Sequence, residues 1–135
     1  MLQITLDVTD FIFAVKKRNI LFYPAMMHIL LSACSQKEDS FFYEFEEGKF
    51  LKTNFHPDFN EFYKNYIYAC YIQEEQKEII KNKIVFALHK KSISNADFIL
   101  LPFEESQNRT FMNIIVNFSV PTDFQMRCQQ AVLNF

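Results

Sequence analysis

The stretch Phe22–Cys34 constrains the fold more than any other part of the chain, because it predicts a long and largely buried helix. Its apolar side chains recur at spacings of three and four residues, which is the period of one helical face. They are Tyr23, Met27, Leu30, Leu31 and Cys34, with Met26 beside them. Pro24 lies near the start, where a helix tolerates a residue without an amide hydrogen. The other elements therefore have to pack around this helix.

Composition bounds the size of the core and excludes several classes of function. Half of the 135 residues are apolar and 17 are Phe, which is enough for one domain, residues 1–135, with a substantial core. Gly48 is the only glycine, so glycine-rich phosphate-binding loops are excluded. The formal net charge is −2, and no basic cluster is longer than Lys16-Lys17-Arg18. We therefore expect no nucleic-acid partner.

The cysteines indicate the cellular compartment. Cys34, Cys70 and Cys128 are odd in number and widely spaced, which predicts buried, reduced thiols rather than a disulfide framework. No Cys-x-x-Cys pair is present, so no metal site is predicted. The sequence has neither a signal-peptide pattern at its start nor an apolar run of membrane-spanning length. We expect a cytoplasmic protein without metal or membrane contact.

The remaining stretches predict a mixed α/β pattern. Strands are predicted over Leu2–Val8, Phe41–Phe45, Lys49–Asn54, Phe62–Ile72, Phe98–Phe103 and Phe111–Phe118, and further helices over Phe11–Arg18, Glu74–Lys91 and Phe124–Leu133. Thr9 or Asp10 is the expected cap of the first helix, and Asp123 of the last. Gly48 provides a positive φ in a hairpin. This order favours an α/β two-layer sandwich, in which a mixed sheet carries helices on one face.

The histidines are the candidates for proton transfer, and a catalytic histidine needs a partner that orients its second ring nitrogen. His28 lies among apolar residues in the middle of a helix and is predicted to be packed. His89 lies among lysines and is predicted to be solvated. His56 precedes Pro57-Asp58 in an aromatic loop, so it is the candidate for ligand contact.

A dense aromatic band begins directly before His56 and extends to residue 71, and it allows two interpretations. Its members are Phe55, Phe59, Phe62, Tyr63, Tyr66, Tyr68 and Tyr71. The band can supply core packing together with an oligomer interface, or it can line a pocket for a small apolar ligand.

Four stretches, in the same order along the chain, resemble the chloramphenicol acetyltransferase family. They are Ile4–Thr9, Phe22–Leu31 with its Phe-Tyr-Pro start, Asn54–Phe62 with its Phe-His pair, and Leu101–Phe103 with its Leu-Pro pair. The resemblance implies the two-layer fold of that family, a trimer, and a channel at the subunit interface that binds acetyl-CoA and the substrate from opposite ends. It also implies that Phe55, His56 and Phe62 belong to the substrate pocket.

The sequence departs from the family where the chemistry takes place. In the family, a histidine of a His-His-x-x-x-Asp-Gly motif takes the proton of the substrate hydroxyl, and a serine stabilises the oxyanion. No histidine here has an aspartate four residues later, and Ile99 stands in place of the serine. Either the chain ends before the catalytic segment, or Ser119 and Asp123 replace the histidine and aspartate of the motif. We favour the second alignment, because a strand, a turn and a helix are predicted at the end of the chain.

We therefore expect no catalytic residue, and a chloramphenicol acetyltransferase-like domain that acts as a binding or scaffold subunit. Acetyl-CoA is an expected ligand only if the channel of the family survives. One alternative is an active CoA-dependent O-acetyltransferase whose base is His56 or is supplied by a partner chain. A further alternative is an unrelated α/β domain whose aromatic surface pairs with another protein.

Overall fold

A computed structural model describes residues 2–36, 40–46, 49–72, 74–75, 84–88 and 96–135. These residues form a mixed sheet and a layer of helices. The strands are β1 (Leu2–Asp7), β2 (Phe41–Glu46), β3 (Lys49–Asn54), β4 (Glu74–Glu75), β5 (Ile84–Leu88), β6 (Phe98–Ser106) and β7 (Arg109–Val116). The helices are α1 (Thr9–Lys17), α2 (Phe22–Ala33), α3 (Phe59–Tyr71) and α4 (Phe124–Leu133).

The strand order confirms the predicted mixed sheet. The strands lie in the order β1-β7-β6-β5-β2-β3-β4. β5 runs parallel to both of its neighbours, β2 and β6, whereas the other neighbouring pairs are antiparallel. The β2–β3 hairpin is present, with Glu46 opposite Lys49. Gly48, the predicted turn residue of this hairpin, lies outside the described residues.

The helices pack on one face of the sheet, as predicted. α2 is buried along most of its length, through Pro24, Ala25, Met26, Met27, Ile29, Leu30, Leu31 and Ala33. Together with side chains from α1, α3, α4 and the sheet, these residues form the large core. A smaller cluster, Tyr43, Val85, Ala87, Ala96 and Ile99, lies on the opposite face. The predicted two-layer α/β sandwich is therefore confirmed.

The first helix does not begin as predicted. Val8 occupies the N-cap position of α1, and neither Thr9 nor Asp10 caps it. The Thr9 hydroxyl instead donates to Asp7 Oδ1 at 2.7 Å and accepts from the amide of Thr110 at 2.8 Å. It thereby connects the start of α1 to β1 and β7.

The strand predicted over Phe62–Ile72 is wrong, because these residues lie in and directly after α3. The buried side chains Phe62, Tyr66 and Ala69 are spaced four and three residues apart, which places them on one helical face. Asp58 caps the helix, since its Oδ2 accepts from the amide of Glu61 at 3.1 Å.

The helix predicted over Glu74–Lys91 is also wrong in its described parts. Glu74–Glu75 is β4 and Ile84–Leu88 is β5, while residues 76–83 and 89–91, including His89, lie outside the described residues. β5 carries apolar side chains on both faces, Phe86 in the large core and Val85 and Ala87 in the smaller cluster. A central parallel strand of this kind lacks the alternation that identifies a strand in sequence.

The three cysteines are free thiols in different environments. Cys128 is fully buried, and burial raises the pKa of its thiol to about 12. Cys34 is half-buried, and Cys70 is exposed. The expectation of buried thiols is therefore confirmed for Cys128 and wrong for Cys70.

Candidate functional site

The imidazole of His28 lies at the centre of an aromatic cluster formed by α2, α3 and the loop before α3. The ring stacks on Phe55 with a centroid distance of 5.4 Å. The rings of Phe59 and Phe62 lie 5.3 Å and 4.9 Å away. Three aromatic neighbours at such distances surround the imidazole with apolar surface. We call these residues, His28, Phe55, Phe59 and Phe62, the His28 cluster.

A backbone carbonyl fixes the tautomer of His28. Its Nε2 lies 3.0 Å from the carbonyl oxygen of His56, which can only accept a hydrogen bond. Nε2 therefore carries the proton in the neutral ring, and Nδ1 carries the lone pair. Burial lowers the pKa of His28 below its ordinary value, although the nearby carbonyls of His56 and Pro57 and the charge of Asp58 act in the opposite direction. The neutral imidazole is thus the form that the fold stabilises.

His56 has the opposite arrangement at its Nδ1 atom. The amide of Asp58 donates to His56 Nδ1 at 2.9 Å, so the lone pair of that nitrogen is in use. In the neutral ring the proton then lies on Nε2. The same aspartate caps α3, which fixes the loop between Phe55 and the helix. The loop therefore holds His56 as a structural residue.

The structure brings the three predicted pocket residues together around His28. Phe55 and Phe62 are buried members of the His28 cluster, and half-buried His56 contributes its carbonyl oxygen. The prediction of a packed His28 agrees with this arrangement. Its role as the common contact of Phe55 and Phe62 was missed, because 27 and 34 residues separate it from them and no local motif connects α2 with α3.

Ile99, Ser119 and Asp123, the positions at which this chain departs from the catalytic pattern of the family, are called here the degenerate motif, and they lie in different environments. Ile99 belongs to the smaller cluster, on the face of the sheet opposite the described helices. Ser119 is exposed in the segment between β7 and α4. Asp123 is at the N-cap position of α4 but makes no side-chain cap; it accepts from Arg127 Nε at 2.8 Å instead. The predicted capping role of Asp123 is therefore wrong.

Neither a metal site nor a membrane-spanning helix is present in the parts of the chain that the structure describes. No three His, Cys, Asp or Glu side chains of these parts come together as a metal ion would require. None of their helices has both the length and the apolar character needed to cross a bilayer.

Comparison with known proteins supports the fold but shows no sequence family for this chain. No family model matches the chain, and no curated protein matches its sequence. A solved structure described as chloramphenicol acetyltransferase is similar, with a TM-score of 0.66 over 98% of this chain and 86% of that chain. The identity is 14%, so this likeness shows a chloramphenicol acetyltransferase-like fold and no more.

Proposed function

We propose that this chain is an acyltransferase-like domain that does not catalyse acetyl transfer and serves as a binding or scaffold subunit. The observation that carries the proposal is the state of the two described imidazoles. His56 uses its Nδ1 lone pair on the amide of Asp58, and His28 is packed among Phe rings with its Nε2 directed at a carbonyl. Both side chains hold the loop before α3 in place.

The positions of the degenerate motif add to this argument. Ile99 offers no hydrogen bond to an oxyanion, and the Asp123 carboxylate is paired with Arg127. Loss of a general base costs about 10²–10⁴-fold in rate, and loss of one oxyanion donor costs roughly a further 10²–10³-fold. Together these losses remove useful catalysis.

The end of the chain favours the alignment in which Ser119 and Asp123 replace the catalytic pair. β7 ends at Val116, and α4 begins at Phe124 and packs against α2 and β1. A strand, a turn and a helix therefore close the described chain, as that alignment requires.

An acetyl-transfer assay tests the proposal. The purified chain is mixed with acetyl-CoA and chloramphenicol, and release of the CoA thiol is followed against a sample without protein. We expect no release above the protein-free rate. A turnover of about 1 s⁻¹ or more, which is the lower end of ordinary enzymes, would overturn the proposal.

Assembly and cofactor binding are further parts of the proposal. By the family resemblance, we propose a cytoplasmic homo-oligomer, a trimer, that binds acetyl-CoA only if the channel survives. Light scattering of the purified chain tests the trimer, and a monomer would contradict it. Calorimetric titration with acetyl-CoA tests the channel. The absence of both heat and a thermal shift at millimolar ligand would mean that the channel is lost.

A second candidate function is CoA-dependent O-acetyl transfer with an unusual base. His28 is a better candidate for this base than His56, because Nδ1 of His28 holds a lone pair and accepts no hydrogen bond from the described residues. If turnover is found, loss of activity in His28→Gln with retention in His56→Ala identifies His28 as the base. The reverse pattern identifies His56, and retention in both points to a base from a partner chain. The fold likeness argues against the third candidate, an unrelated α/β domain.

A further inference from the structure

A cavity of about 310 Å³ lies between the C-terminal half of α3 and the edge of the sheet, apart from the His28 cluster. We call it the α3–β3 groove. It is lined by Phe41, Lys52, Asn54, Asn65, Tyr68, Ala69 and Ile72. Its volume is at the lower end of the range found for small-molecule sites, which suits a ligand with a single ring.

The edge of β3 presents backbone groups to this groove. The amide of Phe55, which directly follows β3, donates to the carbonyl of Ser40 at 2.7 Å. The peptide groups of the preceding residues in β3 therefore alternate between bonding to β2 and pointing outward. By this alternation, the peptide groups of Lys52 and Asn54 point outward. Asn65 Nδ2 donates to the outward carbonyl of Asn54 at 3.3 Å. The amide hydrogens of Lys52 and Asn54 are thus donors at the edge that borders the groove.

Lys52 gives the groove a positive charge. Its ammonium nitrogen lies 4.2 Å from the centroid of the Phe41 ring. The ion pairs of the described residues involve Lys64, Arg109 and Arg127, and none of them neutralises Lys52. A cation beside two outward amide hydrogens favours an anionic ligand group, and a carboxylate suits such donors.

The other wall of the groove is apolar and exposed. Tyr68 lies in the last turn of α3 and Ile72 at its C-cap, and they are 68% and 58% exposed. Ala69 between them is 4% exposed, so its small side chain closes the groove toward the core. An aromatic ring and a branched aliphatic side chain at this spacing offer a surface for one flat ring.

We propose that the α3–β3 groove binds a small carboxylate that carries one aromatic ring. The carboxylate contacts the Lys52 ammonium and one of the two outward amide hydrogens, that of Lys52 or that of Asn54, because about 6.7 Å of strand separates the two amides. The ring packs against Tyr68 and Ile72. This site is independent of the acetyl-transfer question, because none of its residues belongs to the His28 cluster or to the degenerate motif.

NMR titration of the ¹⁵N-labelled full chain with sodium benzoate and with benzamide tests the site. We expect saturable shifts of the Lys52, Asn54, Tyr68 and Ile72 amides with benzoate, and binding at least ten-fold weaker with uncharged benzamide. Lys52→Met should weaken benzoate binding by about ten-fold or more, since a hydrogen bond to a charged group is lost. Lys64→Met is the matched control, because Lys64 is exposed on α3 and pairs with Glu61 outside the groove.

Three results would overturn the inference. They are the absence of saturable shifts up to about 10 mM benzoate, equal binding of benzamide, and equal weakening by Lys52→Met and Lys64→Met. The comparison of benzoate with benzamide needs no variant, so it decides the case even if Lys52→Met does not fold.

Discussion

Replacing His28 with glutamine tests whether a half-buried neutral imidazole makes this fold sensitive to acid. Glutamine keeps an N–H group that can donate to the His56 carbonyl but cannot take up a proton. It also loses the stacking on Phe55, so we expect a loss of about 1–2 kcal/mol at pH 7.5. That loss is independent of pH, whereas the contribution of the imidazole is not.

The size of the acid effect follows from the lowered pKa of His28. The unfolded chain takes up a proton below about pH 6.5, but the folded chain does so only at lower pH, because burial disfavours the charged ring. His28 therefore contributes stability above pH 6.5 that is lost as the pH falls toward its folded pKa. The upper limit is about 1.4 kcal/mol between pH 7.5 and pH 5.5, and solvent around the half-buried ring makes the loss smaller.

Urea denaturation of both proteins at pH 7.5, 6.5 and 5.5 measures this effect. Every other residue is the same in both proteins, so the difference between their stabilities reports on position 28. We expect the stability advantage of the wild type over His28→Gln to shrink as the pH falls. A constant difference, or one that grows with acid, would refute the reasoning.

Three further predictions concern buried polar atoms and thiols. Thr53→Val should stabilise the fold by about 1 kcal/mol in urea denaturation, because the buried Thr53 hydroxyl has no hydrogen-bond partner among the described residues; a loss of stability would contradict this. Tyr66→Phe should lower the free energy of unfolding by about 1–3 kcal/mol in the same assay, because the buried Glu44 carboxylate loses a 2.9 Å hydrogen bond. An unchanged urea midpoint would contradict this prediction. In the native protein, a thiol reagent should label exposed Cys70 and leave fully buried Cys128 unlabelled until urea unfolds the chain; early labelling of Cys128 would show that α4 opens locally.

The elements that the sequence predicts well have a clear period or clear boundaries. Phe22–Cys34 agrees with α2 to within one residue, because its apolar residues repeat at helical spacing and Pro24 marks its start. The last helix, Phe124–Leu133, agrees at both ends. In β1, Ile4 and Leu6 are buried and alternate with exposed Gln3 and Thr5, which is the pattern of a half-buried strand.

The two wrong elements have physical causes. The aromatic residues of α3 favour a strand by propensity, yet Phe62, Tyr66 and Ala69 are buried at helical spacing, and tertiary packing decides the outcome. β5 is covered on both faces, so its apolar run lacks alternation. The register of the sheet and the contact of His28 with Phe55 depend on long-range packing, which no local pattern reports.

The central claim is that hydrogen bonds of the two described imidazoles hold the loop before α3 in place. Long-range ¹H–¹⁵N NMR of the imidazole rings tests it directly, because the nitrogen shifts report which ring atom carries the proton. The account predicts that His28 is neutral at pH 7.5 with its proton on Nε2, and that neutral His56 also carries its proton on Nε2. A neutral His56 with its proton on Nδ1, which would leave Nε2 free to act as a base, would contradict it.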